Sequence, residues 1–324
     1  MCTAVALYTD GLYFGRTLDY EILYLSHVVV TPRNFPFEFR FSDKVESHYA
    51  MVGMAYVNRG YPLYYDGMNE QGLCMAGLNF VGNAVYGKPK EDAVNVASFE
   101  LIPYVLSRCV SVKEAKRLLQ NINITDTAFS EALSPSQLHW IIADKLGSVT
   151  VEATKRGLEV YSNPVGVLTN NPAFDFHLMN LCNYMNLSPK PAQNRFSDKI
   201  ELQEYSRGMG ALGLPGDFSS QSRFVRASFA KLNSALPKDE REAVSQFFHI
   251  MDTVSQPAGC CELEKGVYEK TLYTCCCDVQ RGVYYYTTYE NRRISAVSMN
   301  KENLESERLV RYPLQKTESI NFQN

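Results

Sequence analysis

MCTAVALYTDGLYFGRTLD, residues 1–19, is the stretch from which the fold is read. Its apolar runs on either side of Thr9-Asp10-Gly11 predict two strands, Cys2 to Leu7 and Leu12 to Asp19, closing as a hairpin that returns its far end toward Cys2. Cysteine is small enough that loss of Met1 is expected, and that loss puts a thiol and a free α-amine on one residue. An α-amine ordinarily titrates at about 8 and a thiol at about 8.5. Residue 2 can then supply both base and nucleophile, as an N-terminal amine does for a threonine hydroxyl in other hydrolases. Arg16 and Asp19 are charges in an otherwise apolar strand, where charge is rarely buried without a reason. A guanidinium there could stabilise a thiolate, and a carboxylate could hold an ammonium. The plainer alternative is a buried edge-strand cysteine with no chemistry.

The 324 residues, 45% of them hydrophobic, are ample for a sizeable core. Lys and Arg number 32 against 35 Asp and Glu, a net charge of -3. No basic block stands out, so nucleic acid is not an expected partner. No apolar run reaches the length of about 18 residues that a spanning helix needs, so no membrane insertion is expected. The N-terminus lacks the charged and apolar regions of a secretory signal. A cytoplasmic protein with reduced thiols is the expectation.

Strands are predicted at His27 to Thr31, Ala50 to Val57, Gly72 to Phe80, Leu138 to Asp144, Ser148 to Ala153, Leu158 to Tyr161 and Gly166 to Thr169, and near Lys270 to Asp278, Gly282 to Tyr289 and Ile294 to Met299. Helices are predicted over Ser98 to Ser107, from the capping box at Ser111 through Leu119, and over Phe176 to Met185, Ser222 to Ala235 and Asp239 to Val254. Strand blocks flank helix blocks without regular alternation, which argues for an α+β chain of mainly antiparallel sheets covered by helices. No linker-like tract or internal repeat divides it, so residues 1–324 read as one domain.

Several motifs fail on context. Gly208 to Gly213 spells a dinucleotide fingerprint, but Leu214-Pro215-Gly216 follows where a helix should continue. Gly82 to Lys88 nearly spells a phosphate loop, but Pro89 stands where a Ser or Thr should hold magnesium. His27, His48, His139, His177 and His249 have neither metal-ligand spacing nor a partner motif and read as structural. The nine cysteines include Cys260-Cys261 and Cys275-Cys276-Cys277. Neither group has Cys-x-x-Cys spacing, and adjacent strand cysteines point to opposite faces, so buried small residues are favoured over a metal site.

The opening segment, with YPLYYDGMNEQGLCMAGLNF, LHWIIAD, NPVGVLTNNPAFDFHLMNL, GLPGDFSSQSRFVRASF, QFFHIMDTV and YYYTTYENRRISAV, resembles the choloylglycine hydrolase family, the bile salt hydrolases and penicillin V acylases. The likeness covers nearly the whole chain. It implies an N-terminal nucleophile hydrolase with a four-layer αββα sandwich of two sheets, and a homotetramer. Asn79 and Asn170, each closing an apolar strand, read locally as turn residues. The resemblance instead places Asn170's side chain in an oxyanion hole with Asn79 beside it, and Arg223 in the polar cluster around the thiol. It implies that Cys2 thiolate attacks an amide carbon, that Asn170 and Asn79 stabilise the oxyanion, that the Cys2 amine shuttles the proton, and that Asp19 orients the amine while Arg16 favours the thiolate. No metal or organic cofactor is called for. The implied substrates are conjugated bile salts of the glycocholate and taurocholate type. Asn at position 79 favours these over penicillin V, since some penicillin V acylases carry Tyr there. Leu18, Asn58, Tyr65, Phe129 and Leu133 match substrate-pocket positions. Two alternatives stand beside this: a penicillin V acylase, and a non-catalytic thiol or metal-binding protein.

Overall fold

A computed structural model describes residues 1–22 and 24–324. Among them the strands are β1 (Cys2–Tyr8), β2 (Leu12–Tyr20), β3 (Ser26–Thr31), β4 (Met51–Asn58), β5 (Tyr61–Tyr64), β6 (Asp66–Asn69), β7 (Cys74–Asn79), β8 (Val94–Ala97), β9 (Ile122–Thr125), β10 (Leu138–Asp144), β11 (Gly147–Thr154), β12 (Gly157–Ser162), β13 (Val167–Leu168), β14 (Glu262–Glu264), β15 (Val267–Tyr268), β16 (Lys270–Asp278), β17 (Val283–Thr288), β18 (Asn291–Ser298) and β19 (Val310–Pro313). The helices are α1 (Leu101–Leu106), α2 (Val112–Leu119), α3 (Phe174–Leu181), α4 (Ser220–Asn233) and α5 (Glu240–Asp252).

Two antiparallel sheets dominate. The first runs β13-β1-β2-β16-β17-β18, and the second runs β12-β11-β10-β7-β6-β4-β3-β19 with β5 paired to β4. One face of the second sheet packs on the first sheet, and its other face packs under α1 and α2. Period-two alternation makes this division. Val28 and Val30 of β3, with Ile141 and Ala143 of β10, lie in the core between the sheets. Their neighbours Val29, Trp140 and Ile142 lie in the core beneath the helices. α4 and α5 cover the outer face of the first sheet, burying Phe224, Ala227, Phe247 and Met251. The result is the four-layer αββα sandwich.

The predicted helix starts hold where a cap carries them. Ser111 accepts from Glu114 N–H at 3.2 Å and Asp239 from Glu242 N–H at 2.9 Å. α3 departs from expectation: it begins at Phe174, with Glu152 Oε1 accepting the Phe174 N–H, and ends at Leu181 in a 3₁₀ turn. Strands β5, β6, β8, β9, β14, β15 and β19 were not anticipated. Pro62 and Pro313 disguise β5 and β19, and Asp66 and Asn69 disguise β6, whose four residues are all buried. β2 lies so close to β16 that a Cβ on Gly15 would sit 1.9 Å from the Cys275 carbonyl oxygen, so only glycine fits.

The cysteine clusters divide. Cys275, Cys276 and Cys277 are fully buried in β16, as expected, and burial pushes all three thiols above their ordinary range. Cys260 and Cys261 are not buried: Cys260 is exposed on the turn before β14 and Cys261 is half-buried. A surface turn is set by its backbone, which cysteine count does not reveal.

Candidate active site

In the β1–β2 hairpin Cys2 lies opposite Leu18, and Ala4 opposite Arg16. Cys2, Arg16, Leu18 and Tyr20 therefore share one face of the sheet, while Thr3, Thr17 and Asp19 share the other. Arg16 reaches diagonally to Cys2, its Nη2 donating to Sγ at 2.5 Å. Its Nη1 donates to the Gly77 carbonyl at 2.5 Å and the Tyr65 carbonyl at 3.3 Å, both in or beside the second sheet, and its Nε donates to Thr17 O at 3.1 Å. The fork is thus anchored at three points and aimed at sulfur. Burial opposes its charge, but Cys2, Tyr273 and Asp66 outweigh burial and hold Arg16 more firmly protonated than an ordinary arginine. Asp66 is itself buried behind the guanidinium and accepts from the hydroxyls of Tyr273 at 2.5 Å and Tyr284 at 2.6 Å. Burial raises its carboxyl pKa, against the pull of Arg16.

The opposite face holds the second charge cluster. Asp19 accepts from Thr271 Oγ1 at 2.7 Å, Thr17 Oγ1 at 3.2 Å and Gln256 Nε2 at 3.4 Å, and lies 3.9 Å from Arg223 Nη1. Arg223, fully buried in the first turn of α4, donates to Cys2 O at 2.5 Å, Thr3 Oγ1 at 2.7 Å and Asn170 Oδ1 at 2.7 Å. The expected role of Asp19, orienting a free Cys2 α-amine, concerns the chain after loss of Met1. With Met1 in place, the Cys2 N–H donates to Asn170 Oδ1 at 2.8 Å, and the Met1 amine donates to the Asp19 backbone carbonyl at 2.6 Å and pairs with Glu269. Burial lowers the Met1 amine pKa, with Cys2 and Asp19 opposing.

Asn170 lies two residues beyond the end of β13. Its Oδ1 faces two obligate donors, Cys2 N–H and Arg223 Nη2, and its Nδ2 donates to the Asn79 carbonyl at 2.8 Å. Those partners fix the amide's orientation and leave one N–H on Nδ2 without a partner among the described residues. Asn79 closes β7, opposite Leu138 of β10, and lines the cavity in front of Cys2.

That cavity encloses about 210 Å³. Cys2, Arg16 and Asn79 are its polar end, and Leu18, Tyr20, Ile22, Tyr65, Phe129 and Leu133 are among its walls. Asn58 is the exception among the anticipated pocket residues: it is not in the lining and bonds the Tyr56 hydroxyl at 3.4 Å, while Tyr56 itself faces the cavity. Sequence reading also missed Phe99 and Tyr24. Phe99 meets Phe129 edge-on at 5.3 Å, and Arg40 lies over both rings while donating to Phe129 O at 2.7 Å. Tyr24 lies in the loop beyond β2, where strand alternation gives no signal for it. A larger cleft, about 840 Å³ beside β8 and β9, has no cysteine, histidine or arginine in its lining, so size alone does not locate the chemistry.

A buried thiol held by a guanidinium, an oriented Asn170 amide bonded to the Cys2 N–H, and an apolar cavity opening from the thiol suit nucleophilic attack on a carbonyl attached to a large apolar group. Comparison with known proteins is consistent with that chemistry. The sequence pattern described as linear amide C–N hydrolases, choloylglycine hydrolase family, matches residues 2–312. A bile salt hydrolase/transferase of Lactiplantibacillus plantarum is 53% identical over 97% of each chain, and one of Clostridium perfringens is 40% identical over 100% of each. The solved structure of a variant of conjugated bile acid hydrolase from Clostridium perfringens superposes with a TM-score of 0.92 at 38% identity over 100% of each chain. Penicillin V acylase from Agrobacterium tumefaciens shares the fold, with a TM-score of 0.77 at 23% identity over 96% of this chain and 90% of that one.

Proposed function

The chain belongs to the choloylglycine hydrolase family of linear amide C–N hydrolases, and from that premise we propose that it cleaves the amide bond of glycine- and taurine-conjugated bile salts, with Cys2 exposed as the N-terminal residue by loss of Met1. The observation that carries this is the Cys2 thiol, held by Arg16 at the polar end of a cavity walled by aromatic and aliphatic side chains.

In this mechanism the Cys2 α-amine takes the thiol proton and the thiolate attacks the amide carbon. Asn170 Nδ2, with Asn79 beside it, receives the charge that develops on oxygen. The α-ammonium gives its proton to the departing nitrogen, glycine or taurine leaves, and the acyl group remains on sulfur as a thioester. Water, deprotonated by the same amine, attacks the thioester and releases the free bile acid. Arg16 favours the thiolate. Arg223 and Asp19 hold the first strand and Asn170 in place from the other face. The burial that lowers the Met1 amine pKa would act on the Cys2 amine in the same cluster and keep it available as a base. Nucleophile and base both reside on residue 2, so the chemistry needs no metal or organic cofactor.

The proposal extends to one catalytic unit over residues 1–324, working in the cytoplasm, where a nucleophilic thiol stays reduced. It also extends to a homotetramer. Met185, Phe196 and Tyr205 are 82%, 84% and 85% exposed on the segment after α3, which suits burial against further copies. Light scattering on the purified protein tests the assembly. A second activity follows from the thioester and from the hydrolase/transferase names of the two relatives: an amine in place of water reverses the acylation step and yields a new amide.

The test is intact mass followed by incubation with glycocholate, taurocholate and penicillin V. Loss of Met1, release of glycine or taurine with the free bile acid, and abolition of that release in Cys2→Ala support the assignment. Faster cleavage of penicillin V than of either bile salt would overturn it. Stoichiometric zinc with activity unchanged in Cys2→Ala would favour the thiol or metal-binding alternative.

A further inference from the structure

Two buried histidines that sequence reading left as structural grip the backbone of Asn170. His139 Nε2 contacts the Thr169 carbonyl at 2.9 Å, and His177 Nε2 contacts the Asn170 carbonyl at 2.9 Å. A carbonyl only accepts, so both Nε2 atoms carry the proton and donate. The Asn170 N–H is held from a third side by Ser220 Oγ at 2.8 Å. Both rings are completely buried.

The stacking of the two rings ties this grip to the rest of the site. His139 lies flat on Phe80, centroids 4.2 Å apart and planes 8° apart, and Phe80 is the residue after Asn79. His177 stacks on Phe224 at 4.8 Å and 23°, and Phe224 is the residue after Arg223. The two imidazoles thus join the three segments that carry Asn79, Asn170 and Arg223. His139 is oriented in turn by Glu152, whose Oε1 lies 2.9 Å from Nδ1. Glu152 Oε1 also accepts the Phe174 N–H at 3.1 Å, which fixes the start of the helix that carries His177.

We propose that His139 and His177 are positioning residues for the amidase reaction, clamping the Thr169 and Asn170 carbonyls so that Asn170 Nδ2 stays aimed at the oxygen of the carbonyl under attack. This rests on the amidase function proposed above. Neither ring lines the substrate cavity or touches the thiol. Their effect is expected in the rate of the chemical step rather than in substrate binding or thiol reactivity.

The test compares His177→Gln, which keeps an N–H at the Nε2 position, with His177→Leu, which removes it, and His177→Asn, whose shorter side chain places its N–H elsewhere. On glycocholate, His177→Leu and His177→Asn should lose about 10- to 100-fold in kcat with KM within about 3-fold, as a slightly misplaced catalytic group costs. His177→Gln should recover most of the rate. The rate of Cys2 alkylation by iodoacetamide should stay within about 2-fold of wild type in all three, because Arg16 is untouched. Crystal structures supply a readout besides turnover: the Asn170 amide should be displaced in the Leu and Asn variants and native in the Gln variant. Equal kcat in the Leu and Gln variants, or a fall in alkylation that tracks the fall in kcat, overturns the proposal. An inactive wild type would instead overturn the amidase function, and the position of Asn170 in the variant structures would still decide the clamp. If His177→Leu fails to fold, the Gln and Asn pair decides by the same measures.

Discussion

The Cys2 N–H donates to Asn170 Oδ1 at 2.8 Å, joining the first strand to a residue 168 positions later. While Met1 precedes it, that nitrogen is an amide and cannot act as a base. A protein with residues retained before Cys2 should fold normally and lose roughly 10²- to 10⁴-fold in amide hydrolysis, the usual contribution of general acid–base catalysis. Intact mass measured beside activity checks this. Full activity with the extension still attached would rule out the α-amine as base.

Arg16 is the only guanidinium hydrogen-bonded to the Cys2 sulfur among the described residues. Arg16→Met should reduce Cys2 alkylation at neutral pH at least about tenfold, because the attacking sulfur loses the guanidinium that bonds it. It should also destabilise the fold by about 1–3 kcal/mol by leaving the Gly77 carbonyl without its partner. Alkylation kinetics and chemical denaturation separate the two effects. An unchanged alkylation rate would show that the guanidinium acts only in packing.

Asn79 lies in the lining beside Cys2, where a larger side chain would occupy part of a cavity of about 210 Å³. Asn79→Tyr should lower kcat/KM for glycocholate at least about tenfold while penicillin V hydrolysis falls less. Parallel assays on both substrates give the ratio. A fall of equal size on both would locate the role of Asn79 in the chemistry common to them.

Leu133 contributes an aliphatic wall far in sequence from the thiol, on a turn closed by the Leu133 N–H donating to Ser130 O at 3.1 Å. Leu133→Ala should raise KM for a bile salt about tenfold with kcat within about 3-fold, the effect of losing apolar contact of about 1.5 kcal/mol. Steady-state kinetics decide. A change confined to kcat would mean that the side chain is not in contact with bound substrate.

Stability should depend on pH through two opposed groups. Burial pushes the Glu100 carboxyl up to about 7 from an ordinary 4.5, so the folded state holds a proton that the unfolded chain has released, and stability falls as pH rises between those values. Burial pushes His177 down to about 4 from 6.5, so the folded ring stays neutral where the unfolded one is charged, and stability is lost as pH falls through that window. Each is worth up to about 3 kcal/mol and their slopes oppose between pH 4.5 and 6.5. Glu100→Gln should expose a stability that climbs with pH across that range, and His177→Gln one that declines. Urea denaturation at half-unit pH steps checks both. The same slope in both variants would eliminate the pair as the source.

Much of the fold was legible in sequence because strands announce themselves locally. The β1–β2 hairpin, the continuous strand Leu138 to Asp144 and the capped starts of α2 and α5 each depend on neighbours within a few residues. β6 was illegible for the opposite reason. Asp66 looks like a loop residue until Tyr273 and Tyr284, more than 200 positions away, supply the hydroxyls that allow its burial. Cys260 and Cys261 were misjudged because composition does not say on which side of a turn a side chain emerges.

The sequence by itself determined the kinds of chemistry available: a thiol at residue 2, a guanidinium two places from its cross-strand partner on the same strand face, and enough alternating apolar segments for two packed sheets. Residue spacing also separates Arg16 from Asp19, since an odd interval puts them on opposite faces. Only the tertiary structure decided that Asn170 meets the Cys2 N–H while Met1 is in place, that Phe99 and Tyr24 wall the cavity while Asn58 does not, and that His139 and His177 lie behind the active-site asparagine. Backbone periodicity acts over two to four residues and is written in each segment. The meeting of residues 2, 79, 139, 170, 177 and 223 depends on the order in which strands join their sheets and on how closely those sheets and helices pack, which no single segment encodes.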